Sequence, residues 1–216
     1  MHNTKKIFII NDCNYFKNGF CSSMNDTNSY SFIFLTDPGE IMVNYQTKNH
    51  IVLVLDVSCS ESLRKFKRNI DFINGINARV RIGVIVSRLN IYLTYYISKK
   101  LSRRVTFFNS HGFKSGLFSH DFKAWVSDKS FHSMKPIVRY KDAHYGFSLN
   151  EWLSLVVPLS GESMQEMSHC LRLNIHSLYQ IRKKALSKIG LSSYREFCMM
   201  YILGNIKIEN ETIIRC

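Results

Sequence analysis

The sequence lacks the long apolar runs of membrane proteins. Its first apolar stretch, Ile7 to Ile10, follows Lys5 and Lys6 and ends at Asn11, so it is too short for the core of a signal peptide. No stretch approaches the roughly 20 apolar residues that a membrane-spanning helix needs. We therefore expect a cytoplasmic protein.

The chain also lacks the spacings that mark metal sites and common catalytic sites. Its six cysteines include no C-x-x-C pair and no histidine lies at zinc-ligand spacing, so we expect core residues or surface thiols and no bound metal. There is no G-x-S-x-G, no glycine-rich phosphate loop and no H-x-x-x-H pair. Ser110, His111, His120 and Asp121 could be arranged catalytically, but spacing alone fixes no geometry. We expect neither enzyme activity nor a cofactor.

Positive charge is what the chain has in excess. It carries 29 Lys and Arg against 16 Asp and Glu, a formal net charge of +13 at pH 7. Residues 1 to 127 hold 17 basic and 8 acidic residues, and residues 128 to 216 hold 12 and 8, so the N-terminal part is the more basic. An excess of this size predicts a polyanionic partner, and the N-terminal part can help to hold DNA or an acidic partner.

The segment from Arg172 to Lys188 contains no acid and reads as an amphipathic helix. Asn174 is suited to its N-cap. Its apolar stripe consists of Ile175, Leu178, Ile181, Ala185 and Leu186. Its other face is left to Ser177, Tyr179, Gln180, Arg182, Lys183 and Lys184. A helix that packs on one side and presents hydroxyls, an amide and cations on the other suits the DNA major groove.

Three further helices are predicted around this one. Their expected bounds are Ser148 to Leu159, Ser163 to Leu171 and Ser193 to Leu203. Ser163 and Glu166 have capping-box spacing, and Gly161 and Gly190 are typical C-terminal stops. Two short helices joined by a tight turn, with a basic second helix, are the helix-turn-helix pattern.

The stretch from Phe147 to Gly204 resembles the LuxR/FixJ/NarL-type helix-turn-helix family, without insertion over about 58 of 216 residues. The matching positions are Glu151, Leu155, Gly161, Ser163, Glu166, Leu171, Leu173, Ser177, Leu178, Lys188 and Gly190. The resemblance implies binding to double-stranded DNA, with base-edge contacts from Tyr179, Gln180 and Lys183. It implies phosphate contacts from Ser177, Arg182, Lys184 and Lys188. Pro158, Glu162 and Ile181 depart from the family pattern, so the base preference cannot be borrowed.

Residues 1 to 127 alternate short apolar runs with helical segments. The runs are Ile7 to Ile10, Phe32 to Leu35, Ile51 to Leu55, Ile82 to Val86 and Val105 to Phe108. The helical segments are Tyr15 to Met24, Ser60 to Asn77, Ile91 to Lys100 and Lys114 to Val126. Continuous apolar runs of this length predict buried parallel strands, and hence an α/β domain with a doubly wound five-stranded parallel sheet. An all-α four-helix domain would follow it.

The predicted strand ends resemble those of a response-regulator receiver domain. Asp12, Asp56 and Ser87 stand at the acidic, phospho-acceptor and hydroxyl positions. A working receiver also needs a second acid to hold Mg²⁺ and a lysine to pair with the phosphoryl group. Asn11 replaces that acid, and Asn109-Ser110 stands where the lysine is expected. The pattern predicts an inactive pocket without a metal, although a phosphorylation-controlled regulator that uses Asp56 is the alternative.

Residues 128 to 146 are polar without a helical period and read as a linker, with Tyr140 and Tyr145 able to dock on either domain. The predicted organisation is a receiver-like domain (1–127), this linker and a LuxR-type DNA-binding domain (147–216). A degenerate receiver beside an intact helix-turn-helix resembles the auxiliary regulators of the RcsA and BglJ type. That resemblance implies pairing with a complete response regulator. A homodimer, and an interaction protein with only auxiliary DNA binding, stay open.

Two aromatic clusters are candidates for pairing. They are Ile91, Tyr92, Tyr95, Tyr96 and Leu101 in the N-terminal part, and Tyr194, Phe197 and Tyr201 in the last helix. Three tyrosines within five residues exceed what one buried stripe accommodates, and tyrosine is common at interfaces. We therefore expect Tyr92, Tyr95 or Tyr96 to be partly exposed and to be covered by a partner subunit.

Overall fold

The structure, a computed structural model, describes residues 5–24, 30–41, 49–56, 59–76, 80–86, 92–101, 105–138, 142–209 and 212–216. The chain divides into two compact units. The sheet unit comprises Met1–Asp56, Arg68–Arg88 and Leu101–Lys135, and the helical unit comprises Val57–Lys67, Leu89–Lys100 and Pro136–Cys216. The domain boundaries drawn from the sequence, with a linker at 128–146, stay predictions.

The sheet unit contains five parallel strands in the order β2-β1-β3-β4-β5. The strands are β1 (Lys5–Ile10), β2 (Tyr30–Leu35), β3 (Asn49–Leu55), β4 (Val80–Val86) and β5 (Val105–Asn109). The predicted five-stranded parallel sheet is confirmed. The structure begins four of the strands earlier than predicted, because the pairing continues through polar residues such as Lys5 and Asn49.

An aromatic core covers one face of this sheet. The alternating residues Ile7 and Ile9 of β1 pack with Phe20 of α1 (Asn14–Ser23) and with Phe122 and Trp125 of α5 (Leu117–Val126). The intervening residues of β1, Phe8 and Ile10, are also buried. Because successive side chains of a strand point to opposite faces, the sheet is covered on both sides, as a doubly wound fold requires.

The single helix predicted for Lys114 to Val126 is wrong. A short helix, α4 (Gly112–Ser115), ends at Gly116, and α5 starts at the next residue. Gly116 has φ +73°, a left-handed conformation that interrupts an α-helix and that glycine adopts at little cost. After α5, Met134 forms an isolated antiparallel bridge with Phe107 of β5 and donates its backbone N–H to the Phe107 carbonyl at 3.3 Å.

The helical unit contains the predicted helices of the C-terminal region, together with α3 (Leu93–Lys100) and the first turns of α2 (Ser60–Gly75). The C-terminal helices are α6 (Leu149–Val156), α7 (Met164–Leu171), α8 (Ile175–Lys188) and α9 (Tyr194–Ile202). Pro158 lies in a 3-10 turn, Val157–Ser160, that extends α6 up to Gly161. The glycine stops are confirmed, since Gly161 and Gly190 have φ of +85° and +71°.

The C-terminal region contains the four predicted helices and, in addition, two short strands that the sequence analysis did not predict. An antiparallel hairpin, β6 (Ile206–Glu209) and β7 (Thr212–Arg215), follows α9. Ile206 and Ile213 are buried, so the two strands bury an apolar side chain each. Arg215 donates from Nη1 to the Ile189 carbonyl at 3.2 Å, and this bond ties the hairpin to the end of α8.

Candidate nucleic-acid interface

Helix α7 begins with a complete capping box. The Ser163 hydroxyl accepts from the Glu166 backbone N–H at 3.1 Å, and the Glu166 carboxylate accepts from the Ser163 N–H at 2.8 Å. The second bond lowers the pKa of Glu166 below its usual range. These contacts satisfy two of the backbone donors that a helix start leaves open. The predicted cap is confirmed.

A tight turn joins α7 to α8. Arg172 occupies a left-handed conformation with φ 55°, and the Leu173 N–H donates to the Ser168 carbonyl at 3.0 Å. The Ser168 hydroxyl donates in turn to the Leu173 carbonyl at 2.8 Å. Asn174 then caps α8, because its side chain accepts from the His176 N–H at 2.8 Å. The turn therefore sets the angle between the two helices with its own hydrogen bonds.

The solvent-facing side of α8 carries five of the seven residues predicted to touch DNA. Ser177, Tyr179, Gln180, Lys183 and Lys184 are exposed, and Tyr179 is 50% exposed. His176 and Ser187 are also exposed on this helix, although the sequence analysis did not assign them a role. At about 100° per residue, His176, Gln180, Lys183, Lys184 and Ser187 form one continuous stripe. We call this stripe, together with Ser177 and Tyr179, the reading face.

The sixth predicted residue, Arg182, faces the interior. Its side chain is buried beside Leu178, Ala185 and Leu186 on the opposite side of α8. Its Nε donates to the Ser154 carbonyl of α6 at 3.0 Å, and its guanidinium lies 4.0 Å from the centre of the Tyr194 ring of α9. Burial lowers the pKa of Arg182. The predicted phosphate contact does not fit this placement, because the guanidinium holds α6, α8 and α9 together.

Lys188, the seventh, is also engaged inside the unit. Its Nζ donates to the Glu151 carboxylate at 2.7 Å and to the Gly146 carbonyl at 2.8 Å, and it lies 5.7 Å from the Phe147 ring centre. Burial alone would raise the pKa of Glu151, but the bonds from Lys188 and from the Ser148 N–H hold it below its usual range. The Lys188 side chain is 25% exposed, and an ammonium has three N–H groups, so its phosphate contact stays a prediction.

Most of the aromatic residues predicted to contact a partner subunit are buried within the protein. Phe197 is fully buried, and the Tyr194 hydroxyl donates to the Leu155 carbonyl at 3.1 Å. Tyr92 and Tyr96 are buried too, while Tyr95 is half-buried with the Lys99 ammonium 5.4 Å from its ring centre. The expectation of a partly exposed tyrosine therefore holds for Tyr95. Ile91 lies outside the described residues, as does Tyr140.

The receiver-like strand ends carry side chains that close local turns. The Asn11 amide oxygen accepts from the Cys13 N–H at 2.8 Å, and the Asn109 amide oxygen accepts from the His111 N–H at 2.9 Å. Asp12 and Asp56 are exposed after β1 and β3, which are neighbouring strands. Ser87 lies outside the described residues.

Comparisons with known proteins give structural likeness only. No family model matches the sequence, and no curated protein matches it. A solved structure of two RcsB dimers bound to two parallel DNAs shares 14% identity, with coverage of 91% of this chain and 98% of that one and a TM-score of 0.47. The Salmonella typhimurium RcsB response regulator shares 16%, with coverage of 89% and 95% and a TM-score of 0.39. The response regulator StyR shares 11%, with coverage of 91% and 98% and a TM-score of 0.34.

Similarity this low leaves the function to be argued from the residues of this chain. Across the part of the chain that the structure describes, no helix combines the length and the hydropathy needed to cross a membrane.

Proposed function

We propose that this protein is a transcription regulator that binds double-stranded DNA in a sequence-specific manner through α8. The single observation that carries the proposal is the reading face. It is exposed, free of acidic residues, and mounted on a helix whose opposite side is fixed in a packed core. The preceding helix α7 and the tight turn supply the rest of a helix-turn-helix.

The chemistry of the reading face suits DNA bases. Gln180 can pair through its amide with adenine, and Lys183 can donate to guanine, while the ring of Tyr179 offers an apolar surface and a hydroxyl. Ser177 and Lys184 lie together along one edge of the reading face, where a hydroxyl and an ammonium can contact phosphates and fix the register. We assign contacts with base edges to Gln180, Lys183 and Tyr179, and contacts with the DNA backbone to Ser177 and Lys184.

We further propose that binding is independent of phosphorylation. Asn11 cannot supply the charge that a second metal-binding carboxylate would supply, and its amide oxygen already closes a turn. Asn109 likewise lacks the cation that would pair with a phosphoryl group, and its side chain is bonded to His111. Of the residues that the structure describes, neither Asn11 nor Asn109 therefore offers Asp56 the charged group that stands at its position in a working receiver.

Pairing completes the proposed activity. One helix-turn-helix reads a single half-site, so specificity in a genome requires a second reader about one turn of DNA away. The second reader is a copy of this chain or another response regulator. Tyr95, half-buried on α3, is the tyrosine that a partner subunit can cover.

Selection from a random double-stranded DNA library tests the proposal. The full-length protein is expected to enrich one motif, with an affinity that falls as salt rises because cations are released from the phosphates. Sedimentation of wild type and Tyr95→Ala, with and without the enriched duplex, then tests the pairing. Failure to enrich any sequence would reject sequence-specific binding, and a monomer that binds with full affinity and is indifferent to Tyr95→Ala would reject the pairing.

A further inference from the structure

A carboxylate is buried at the start of α7. Glu162, directly before the cap residue Ser163, has a side chain that is only 1% exposed. Removal of an ionised carboxylate from water costs several kcal/mol, roughly, unless cations and hydrogen-bond donors replace the water. Glu162 is one of the three residues that depart from the family pattern. The groups that compensate for its burial therefore cannot be inferred from that pattern and have to be found in this chain.

Three donors from two other helices meet this carboxylate. The Tyr96 hydroxyl of α3 donates to Oε1 at 2.6 Å. Lys100, one turn further along α3, donates from Nζ to Oε1 at 2.9 Å and to Oε2 at 2.8 Å. The Lys67 ammonium of α2 lies 3.5 Å from Oε2. We call these four residues the Glu162 cluster.

The Tyr96 hydroxyl stays protonated and so remains a donor. Its burial, the hydrogen bond to Glu162 and the charge of that carboxylate all raise the pKa of Tyr96. Both cations of the Glu162 cluster are themselves largely withdrawn from solvent, with side chains 12% and 19% exposed for Lys100 and Lys67. Screening by salt is weak for pairs of this kind, so the attraction between these charges is retained at physiological ionic strength.

A second contact joins α3 to the same group of helices. The rings of Tyr92 and Trp152 meet edge to face with their centres 5.5 Å apart, and both side chains are buried. Tyr92 directly precedes α3 and Trp152 belongs to α6, so the start of α3 is held against α6 by aromatic packing, and α3 is held against the start of α7 by the Glu162 cluster. The same structure leaves Lys183 and Lys184 of the reading face exposed. The arrangement that Glu162 holds is therefore one in which α8 is open to DNA.

We propose that Glu162 is a positioning residue for DNA binding, which fixes α3 against the start of α7 so that the helix-turn-helix is kept in its DNA-accessible arrangement. The inference rests on the proposed function of α8. It adds that the arrangement is maintained by a permanent internal ion-pair cluster and needs no phosphoryl group. Removal of Lys100 leaves Glu162 with only the longer contact to Lys67 and the Tyr96 hydroxyl, so the attachment of α3 to the start of α7 weakens.

Lysine substitutions in α3 provide a matched pair of variants. Lys100→Met removes the shorter ammonium contact to Glu162, while Lys99→Met removes a neighbouring lysine that is exposed. Both variants lose one positive charge, so a direct effect of charge on DNA affinity appears equally in both. The double variant Glu162→Leu/Lys100→Met replaces the pair by apolar side chains of similar size, a change that buried ion pairs often tolerate without loss of stability.

Hydrogen exchange and DNA affinity are measured on the full-length chain, with the duplex enriched by the wild type as the probe. In Lys100→Met, we expect faster exchange in α3, unchanged protection in α6 to α9 and weaker binding. If only about a tenth of the molecules keep the arrangement, the apparent Kd rises about tenfold. Lys99→Met should resemble wild type in both readouts, and the double variant should recover both.

Each contrary result has a separate meaning. Faster exchange in α3 with an unchanged Kd would show that Glu162 anchors α3 without positioning the reading face. Equal loss of protection in α3 and in α6 to α9 would reduce the cluster to an ordinary contribution to folding. Equal losses of affinity in Lys99→Met and Lys100→Met would point to long-range charge alone. If the wild type enriches no duplex, the proposed function itself fails, and exchange in α3 still reports whether the cluster anchors that helix.

Discussion

Arg182 and Lys183 are neighbours in the chain and lie on different sides of α8. The Arg182 side chain is buried, where it donates to Ser154 and stacks on Tyr194, while Lys183 is exposed on the reading face. A helix turns about 100° per residue, so adjacent cations in a basic run need not share a role. At the scale of single residues, position on the helix therefore decides which cation is exposed to a binding partner.

Lys183 and Lys184 are expected to differ in what they contribute. Lys183→Ala should relax sequence preference at one base pair, by about 1 to 3 kcal/mol, because a base-edge contact is lost. Lys184→Ala should weaken binding to every sequence alike and reduce the salt slope by roughly one, because a phosphate contact is lost. Affinities for the enriched duplex and its single-base variants, at several salt concentrations, separate the two. Identical profiles for both variants would contradict the assignment.

Arg182→Ala is expected to act on stability. The change leaves the Ser154 carbonyl without its donor and removes the cation over Tyr194, so the free energy of unfolding should fall by about 1 to 3 kcal/mol. Urea denaturation measures this loss. The salt slope of DNA binding, measured on the folded variant, should match that of wild type. A salt slope that is lower by roughly one would instead support the phosphate contact that the sequence analysis predicted for Arg182.

At the scale of elements, three helices of the helical unit start with a capping carboxylate. Glu151, Glu166 and Glu196 accept backbone N–H groups of Ser148, Ser163 and Ser192 at the starts of α6, α7 and α9. The pKa of each of these carboxylates is lowered. For Glu166 and Glu196 the backbone hydrogen bond is the main cause.

The helical unit should consequently lose stability in acid. A carboxylate with a lowered pKa in the folded state stabilises fully above its unfolded pKa, about 4.3 for Glu, and loses that contribution as pH falls through the folded value. Urea denaturation at pH 7, 5 and 3.5, followed by Trp152 fluorescence in a Trp125→Phe background, should show the decline below pH 5. Glu166→Gln keeps a hydrogen-bonding cap but does not titrate, so its decline should be smaller. An equal decline would contradict the role of this cap.

Features set by contacts within a few residues could be predicted from the sequence, whereas features set by contacts between distant residues could not. Ser163 with Glu166, Asn174 and Gly161 are signals complete within a few residues, and the helix boundaries that they predict are confirmed. The burial of Arg182 depends on Ser154 and Tyr194, which no local pattern links to it. Likewise, the partners of Glu162 lie more than 60 residues away, and the C-terminal hairpin has strands of only four residues.

At the scale of the whole molecule, two asparagines at the receiver-like strand ends bear on the proposed mode of control. The side chains of Asn11 and Asn109 each accept a hydrogen bond that closes a turn. A phosphorylated receiver would need an acid at the first position and a cation at the second. If binding is independent of phosphorylation, as proposed, regulation is expected to come through the amount of protein or through its partner.

Treatment with a small phosphodonor and Mg²⁺ should leave the protein unchanged. Neither its intact mass nor its affinity for the enriched duplex is expected to shift, because Asn11 and Asn109 stand where a second carboxylate and a cation would stabilise a phosphoryl group. Asp56→Asn should retain DNA binding. A stoichiometric adduct in mass spectrometry that disappears in Asp56→Asn would overturn phosphorylation independence.

The bridge between Met134 and Phe107 also bears on how the protein avoids aggregation. β5 is a border strand of the sheet, and the backbone groups of a border strand can recruit a strand from another molecule. Met134 occupies one of these groups, and the Phe131 ring stacks on Phe108 with the two centres 5.9 Å apart. The segment after α5 thus acts as a cover for the sheet edge. A chain shortened across residues 129–135 would present an apolar strand to solvent and to its own copies.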